Sequence, residues 1–156
     1  MDDLPIGYFI TCVTYGTWLP GDDRGWVEYH RGWKLPDPAR HLEAEAKMNE
    51  DACILNLPQR TAVNLQVRET CDYRGWTLHA VNCRSNHMHI VVTAPNTSSR
   101  KVRIDLKAWA TRRLKKFDPS RDNWWAERGS IRWLFDAEGL EATIFYTLDG
   151  QDGKPH

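Results

Sequence analysis

The chain has 156 residues, enough for one compact domain, and hydrophobic residues make up 41% of it while charged residues make up 27%. This composition argues against a disordered chain and predicts a folded, soluble protein. The 21 basic and 21 acidic residues cancel, which argues against a nucleic-acid-binding protein unless the charges are separated along the chain.

Two features of the sequence indicate where in the cell the protein is located. The four cysteines form no CxxC pair and no regular framework, and the first residues lack the charged-then-apolar pattern of a secretory signal. No apolar run approaches the roughly 20 residues that a membrane-spanning helix needs. We therefore expect reduced thiols, a cytoplasmic location and no contact with a membrane.

The first half of the chain predicts a strand, an insertion and a helix. Residues 8–17 are rich in β-branched and aromatic side chains, which favours a strand with one buried face. Residues from about 18 to 56 form a long insertion with a short helix-like piece, and long ordered loops in small domains are often functional. Residues 58–75 have amphipathic spacing with proline at the entry and glycine at the exit, so they predict a helix.

The second half predicts a hairpin, a basic helix, a strand and a last helix. Residues 76–84 and 87–94 are two strand-like runs separated by two residues, and residues 98–117 keep helical spacing after a serine cap. Residues 130–135 predict a strand and residues 138–148 a short helix. This order predicts an α+β fold of the ferredoxin-like sandwich type, an antiparallel sheet with packed helices, in one domain over residues 1–156.

His87 and His89 are two residues apart in a predicted strand. Because side chains alternate between the faces of a strand, both imidazoles project to the same side, as metal ligands would. The residues between and after them are apolar and would face the core: Met88, Ile90 and Val92. One such pair is a weak signal by itself, since two histidines can equally make structural hydrogen bonds.

The segment SNHMHIVV resembles the His-hydrophobic-His motif of the HUH endonucleases, in particular the single-tyrosine transposases. The opening YFITCVTYGTWLPGD and the closing SIRWLFDAEGLEATIFYTLDGQ are similar to the REP-associated branch of that family. The resemblance covers most of the chain in the right order and is weakest in the insertion. It implies the HUH endonuclease fold and a metal-dependent enzyme that nicks and rejoins single-stranded DNA through a 5′-phosphotyrosine intermediate.

The resemblance also implies roles for individual residues. His87 and His89 match the ligand pair for Mg²⁺ or Mn²⁺, and Tyr146 matches the nucleophile on the last helix. Relatives often supply a third ligand one helical turn after the tyrosine, but that position here is glycine. Gln151 is the favoured third ligand because its amide oxygen is a hard donor, and Asp149 is the alternative.

The expected substrate is single-stranded or hairpin DNA, with palindromic repeats as the family's usual target. The predicted helix after residue 98 holds most of the chain's clustered positive charge, and its candidate phosphate contacts are Arg100, Lys101, Arg103, Lys107, Arg112, Arg113 and Lys116. In the insertion, Trp18 and Arg24 are candidate DNA contacts, and the loop tryptophans, which also include Trp26 and Trp33, could stack on unpaired bases. We expect Trp76, Trp109 and Trp133 to pack in the core.

Three alternatives remain open on the sequence. The same fold could bind single-stranded nucleic acid without cutting it, or could hydrolyse a phosphodiester with water while Tyr146 is structural. Cys83, His87 and His89 could instead form a zinc site. The sequence also permits a monomer or a homodimer, in which Tyr146 serves its own subunit or its partner.

Overall fold

The protein is described by a computed structural model over residues 4–28 and 30–150. In chain order its elements are β1 (Gly7–Val13), β2 (Trp26–Glu28), β3 (Gly32–Lys34), α1 (Pro38–Ala46), α2 (Leu57–Arg74), β4 (Thr77–Cys83), β5 (His87–Thr93), α3 (Ser99–Leu114), β6 (Ser130–Leu134), α4 (Ala137–Phe145) and a π-helical turn (Tyr146–Gly150). None of the helices in this part of the chain is long and apolar enough to cross a bilayer.

Four strands form one sheet in the order β4-β5-β1-β6, and every neighbouring pair is antiparallel. β5 therefore lies in the middle of the sheet, with β1 on one side and β4 on the other. Thr11 of β1 and Asn82 of β4 both lie opposite His89 in these pairs. The predicted α+β sandwich with an antiparallel sheet and packed helices is confirmed.

One face of the sheet is covered by α2 and α3. The main core joins Ile10 of β1 and Met88 and Ile90 of β5 to Val67 of α2 and Leu106 of α3, all of them buried. The bounds of α2 follow from its sequence, because the Asn56 and Gln59 side chains cap each other's backbone and Gly75 ends the helix at φ 75°. We refer to this side of the sheet as the helix face.

The opposite face carries the histidines, and we call it the histidine face. α4 covers part of it, with Leu140 and Ile144 packed on a small cluster of Ala80, Val91 and Leu134. α4 and the π-helical turn are the elements from the second half of the chain that contact this face. The sheet thus separates a closed hydrophobic layer from a face that stays accessible near one end.

The described part of the insertion contains the paired strands β2 and β3 and the helix α1. The predicted short helix is present as α1, and Asp37 caps its first turn by accepting a hydrogen bond from Arg40 N at 3.2 Å. The insertion returns to the main sheet through Cys53 and Leu55, whose amides donate to Tyr15 O and Ser85 O, both at 2.8 Å.

Candidate active site

His87 and His89 lie side by side on β5. Their ring centroids are 4.7 Å apart, with an angle of 64° between the ring planes. Met88 between them is fully buried on the helix face, which fixes the rotation of the strand and directs both imidazoles to the histidine face. His89 is 8% exposed and His87 is more open, so the pair forms a site with one accessible side.

Each imidazole is oriented by a neighbour through Nδ1. His89 Nδ1 lies 2.8 Å from the hydroxyl of Thr11 on the adjacent strand. His87 Nδ1 lies 2.7 Å from Asn86 Oδ1, and because a carbonyl oxygen only accepts, the histidine donates in this bond. Nε2 is then the nitrogen through which each ring would hold a metal, an arrangement common around metal-binding histidines.

Tyr146 lies against the same histidines. Its ring centroid is 5.7 Å from that of His89 and 6.2 Å from that of Phe9, whose ring meets it edge-on. The last helix was predicted to continue regularly through this residue, whereas α4 ends at Phe145 and Tyr146 begins a π-helical turn. Such turns are rare and occur often at functional sites.

Two hydrogen bonds hold the tyrosine-bearing segment to the sheet on either side of Tyr146. Asn82 Nδ2, on β4 beside His89, donates to Thr147 O at 3.0 Å. Arg132 Nη2, on β6, donates to Thr143 Oγ1 at 3.0 Å, and its guanidinium lies 5.4 Å from the Phe9 ring. Thr143 and Thr147 are both buried, so the contacts of this segment with the sheet are tight.

Sequence reasoning missed Thr11, Asn82 and Arg132. The alternation of β1 places Thr11 on the face opposite Ile10, but only the strand pairing shows that it meets His89. No sequence pattern pointed to Asn82 or Arg132, because their hydrogen-bond partners lie 65 and 11 residues away in the chain.

The donor set fits a divalent cation bound in part by substrate. Two imidazoles on one face supply two positions, and Mg²⁺ or Mn²⁺ sites at phosphates commonly use few protein ligands plus water and phosphate oxygens. Within residues 4–28 and 30–150, no three His, Cys, Asp or Glu side chains are grouped to hold a metal, so Asp149 does not complete the pair. Gln151, the favoured third ligand, lies outside the described residues.

The zinc alternative is wrong. Cys83 pairs with Met88 across β4 and β5, so its side chain lies on the helix face, across the sheet from the histidines. Burial raises the pKa of the Cys83 thiol to about 12, which also opposes a thiolate ligand.

The basic helix α3 lies on the helix face, across the sheet from the histidines. Two of its predicted phosphate contacts form hydrogen bonds within the protein. Lys107 Nζ donates to Ala126 O and Arg128 O, both at 2.9 Å, and Arg113 Nη1 lies 3.3 Å from Glu69 Oε2. Burial lowers the pKa of Lys107, because desolvation disfavours the charged ammonium. This geometry favours structural roles for both residues.

The other cations of α3 are divided between two sides. Arg100 and Arg103 line a cavity of about 470 Å³ together with residues 122–128. Arg103 also donates to Gly129 O at 3.4 Å, while Arg112 lies over the Trp109 ring at 4.6 Å. The remaining predicted contacts are exposed at the surface: Lys101 and Lys116.

The predicted DNA contacts in the insertion differ in their exposure and in their bonds to the protein. Arg24 forms a bidentate pair with Asp22, with both nitrogen–oxygen distances 2.8 Å, and donates to Thr17 O at 2.7 Å. This geometry favours a structural role over the predicted phosphate contact. Trp26 is buried and donates to Leu35 O, so it is unsuited to stacking on a base. Trp18 and Trp33 are exposed by 38% and 60%.

The tryptophans that the sequence placed in the core differ in their exposure to solvent. Trp76 is buried as predicted, but Trp133 is 53% exposed and donates to Ser99 Oγ at 3.1 Å. Trp133 lies on β6, the edge strand of the sheet in the described part of the chain, where its ring is partly open to solvent.

Comparison with known proteins finds the same architecture in transposases. A structure of a REP-associated tyrosine transposase bound to a REP hairpin matches 98% of this chain and 71% of its own, with a TM-score of 0.60 and 12% identity. A candidate transposase from Deinococcus radiodurans R1 matches 97% of this chain and 92% of its own, with a TM-score of 0.53 and 15% identity. No family model and no curated protein matches the sequence. The chain therefore shares the fold of these transposases, and its motifs resemble those of the same family.

Proposed function

We propose that this protein is a metal-dependent single-stranded DNA endonuclease and strand transferase that acts through a 5′-phosphotyrosine intermediate. The observation that carries the proposal is the meeting of His87, His89 and Tyr146 of one chain on the accessible part of the histidine face. These residues come from β5 and from the turn after α4, about 60 positions apart in the sequence. A purely structural role for the three would not require a shared, partly open surface.

In the proposed reaction, Tyr146 Oη attacks the phosphorus of a DNA phosphodiester and forms a phosphotyrosine ester. The bond from phosphorus to the 3′-oxygen breaks, and the phenol proton is balanced by the proton that the 3′-hydroxyl gains. The number of phosphoester bonds is unchanged, so a 3′-hydroxyl can later reverse the step without ATP.

His87 and His89 would hold Mg²⁺ or Mn²⁺ through Nε2. When bound, the cation would neutralise charge on the non-bridging phosphate oxygens and orient the phosphate. Thr11 and Asn86 keep the imidazoles in place, and Asn82 and Arg132 hold the segment that carries the tyrosine. The substrate we propose is single-stranded or hairpin DNA, in line with the hairpin carried by the similar transposase.

The decisive experiment is covalent trapping. The protein is incubated with a library of single-stranded DNA hairpins and Mn²⁺, resolved on a denaturing gel, and the trapped oligonucleotides are sequenced. We expect a protein–DNA adduct whose phosphate maps to Tyr146 by mass spectrometry. Tyr146→Phe should fold and bind DNA but form no adduct, while His87→Ala should lose both adduct formation and binding of Mn²⁺.

Tyr73→Phe and Tyr15→Phe are the matched controls. Tyr73 is exposed on α2, and Tyr15 packs against the core on the helix face, so both lie across the sheet from the histidines. Both variants should form the adduct at the wild-type rate. Release of free 5′-phosphate ends without an adduct would instead identify a hydrolase, and a gel shift without any cutting would identify a binding protein.

A further inference from the structure

A small cavity lies next to the candidate active site on the histidine face. Its volume is about 300 Å³, and it is lined by Thr11 and Val13 of β1, Trp18 and Val27 of the insertion, and residues 126–130. We call it the Trp18 pocket. It shares Thr11 with the site, since the Thr11 hydroxyl bonds His89, and Val13 lies opposite His87 in the strand pair.

Residues 126–129 form one wall of this pocket as a bulge in the edge strand. Ala126 N donates to Val13 O at 2.9 Å and Thr11 pairs with Ser130, so two extra residues are accommodated between these pairings. Gly129 has φ 134°, and a Cβ there would lie 2.6 Å from Thr11 O, so the close approach requires glycine. Lys107 holds the same bulge from the helix face through Ala126 O and Arg128 O.

Trp18 forms a second wall and is held in place before any ligand arrives. Its Nε1 donates to Gly25 O at 2.8 Å, and its ring lies 6.1 Å from that of Trp33. Gly25 has φ 89°, and a Cβ at this position would lie 2.3 Å from the Trp33 ring, so glycine allows the packing. A ring fixed in this way loses little conformational entropy when a flat ligand stacks on it.

The chemistry of the pocket indicates a neutral, flat ligand. Val13, Trp18 and Val27 offer apolar contact, while Glu127 and Arg128 bring a carboxylate and a guanidinium to the same cavity. A carboxylate repels a phosphate, whereas a base edge carries both donors and acceptors and suits such a pair. The volume is at the small end of ligand pockets, which suits one base rather than several.

We propose that the Trp18 pocket binds one unpaired base of the DNA strand whose phosphate lies at His87 and His89. The proposal rests on the proposed function for the identity of the ligand. Strands are separated by about 4.8 Å, so a base in the pocket lies within one or two strand spacings of the histidines, the reach of a neighbouring nucleotide. The pocket therefore gives the insertion a role in positioning the strand for cleavage.

The test compares two probes that carry the same phosphates, a 12-mer of deoxythymidine and a 12-mer of abasic units. Binding is measured by fluorescence polarisation in the Tyr146→Phe background, so no cleavage intervenes. We expect Trp18→Ala to reduce the preference for the deoxythymidine 12-mer by about 5- to 100-fold, the effect of losing one stacked base. Binding of the abasic 12-mer should be unchanged.

Trp133→Ala is the matched control, because Trp133 is an exposed tryptophan with a bonded Nε1 on the helix face. It should keep the preference. Equal loss of affinity for both probes in Trp18→Ala, or retention of the preference, would overturn the proposal.

A second measurement needs no change at Trp18 and covers the case in which Trp18→Ala fails to fold. A 12-mer with 5-iodouracil is photocrosslinked to the Tyr146→Phe protein, and the modified peptide should contain Trp18; crosslinking confined to peptides outside the pocket walls would overturn the proposal. Trapping of the wild-type adduct distinguishes the two claims, because a Trp18-dependent base preference without any adduct would sink the proposed function and leave the pocket standing.

Discussion

The orientation of each imidazole in the candidate site is fixed by one side chain from a neighbouring position. Thr11 reaches His89 from β1, and Asn86 reaches His87 from the adjoining turn. Partners of this kind fix the orientation of a ligating ring and typically change metal affinity 10- to 100-fold when removed, as an order of magnitude. The metal affinity should therefore depend on residues that do not themselves bind the ion.

We predict that Thr11→Val weakens binding of Mn²⁺ by about 10-fold or more while leaving the fold intact, since valine has nearly the shape of threonine but lacks the hydroxyl. Isothermal titration calorimetry with Mn²⁺ measures the affinity. Thr111→Val is the control, because the Thr111 hydroxyl bonds Lys107 O on α3, far from the histidines. Equal affinity of Thr11→Val and the wild type would remove Thr11 from the site.

A second residue-scale feature is the pair of Asp22 and Arg24 in the insertion. The hydrogen bond from Arg24 lowers the pKa of Asp22 from 3.8 to about 2. A carboxyl with a depressed pKa in the folded state adds stability above its ordinary pKa, and this stability is lost as the pH falls through the folded value. The pair should thus support the insertion at neutral pH and fail between about pH 4 and pH 2.

We predict that Asp22→Asn lowers the free energy of unfolding by roughly 1 kcal/mol at pH 7, a modest amount because Arg24 is half exposed. The difference from wild type should shrink as the pH falls from 4 towards 2. Urea denaturation at several pH values measures it, with Asp72→Asn on the exposed side of α2 as the control. A difference that is constant with pH would show that the charge of Asp22 is not responsible.

At the scale of elements, the tyrosine is positioned by how two segments dock on the sheet. α4 packs through Leu140 and Ile144, and the π-helical turn after it is held by Asn82 of β4. The bond to Thr147 O satisfies a backbone carbonyl directly after Tyr146, where the regular helix has ended. Asn82 is thus a positioning residue that acts on Tyr146 through the backbone.

We predict that Asn82→Ala slows adduct formation by about 10- to 100-fold, because displacing a reacting group by about 1 Å can have that effect. Binding of Mn²⁺ and of DNA should remain at wild-type levels, which a general loss of structure would not allow. Single-turnover trapping gives the rate. Asn64→Ala is the control, since Asn64 Oδ1 accepts from Cys83 N in a similar bond on the helix face, and it should keep the wild-type rate in folded protein.

At the scale of the whole molecule, the sheet separates the basic helix from the candidate active site. The bulge at residues 126–129 lies between them, because it lines both the basic cavity beside Arg100 and the Trp18 pocket. A DNA strand that used both surfaces would cross this bulge at the edge of the sheet. The neutral total charge is compatible with such a path because the cations are concentrated along α3.

We predict that Arg100→Gln lowers the slope of log affinity against log salt by about 0.7, the value for one phosphate contact of a single strand. Lys116→Gln, which removes an exposed cation just past the end of α3, should leave the slope unchanged. Titrations with a deoxythymidine 12-mer at several salt concentrations provide the slopes. The opposite result for the two variants would place the DNA on the outer surface of α3.

The order of elements and most of their bounds could be predicted from the sequence because they depend on local patterns. The capping residues of α2 and the alternation around Met88 are local, and they led to the right helix and to histidines on one face. The resemblance to a transposase family, carried by short motifs around His87 and Tyr146, is matched by the fold. Sequence alone therefore determined the architecture and identified the histidine pair and the tyrosine as candidate site residues.

The tertiary structure decided which groups those residues meet. Lys107 and Arg113 look like phosphate contacts in the sequence, but they bind a bulge and α2 from segments 19 or more residues away. Trp26 looks like a loop tryptophan, yet the insertion folds over it, and the π-helical turn at Tyr146 is joined to β4 across 65 residues. Such partners are brought together by packing between distant segments, and the energy of a cation or an aromatic ring depends on that environment rather than on its neighbours in the chain.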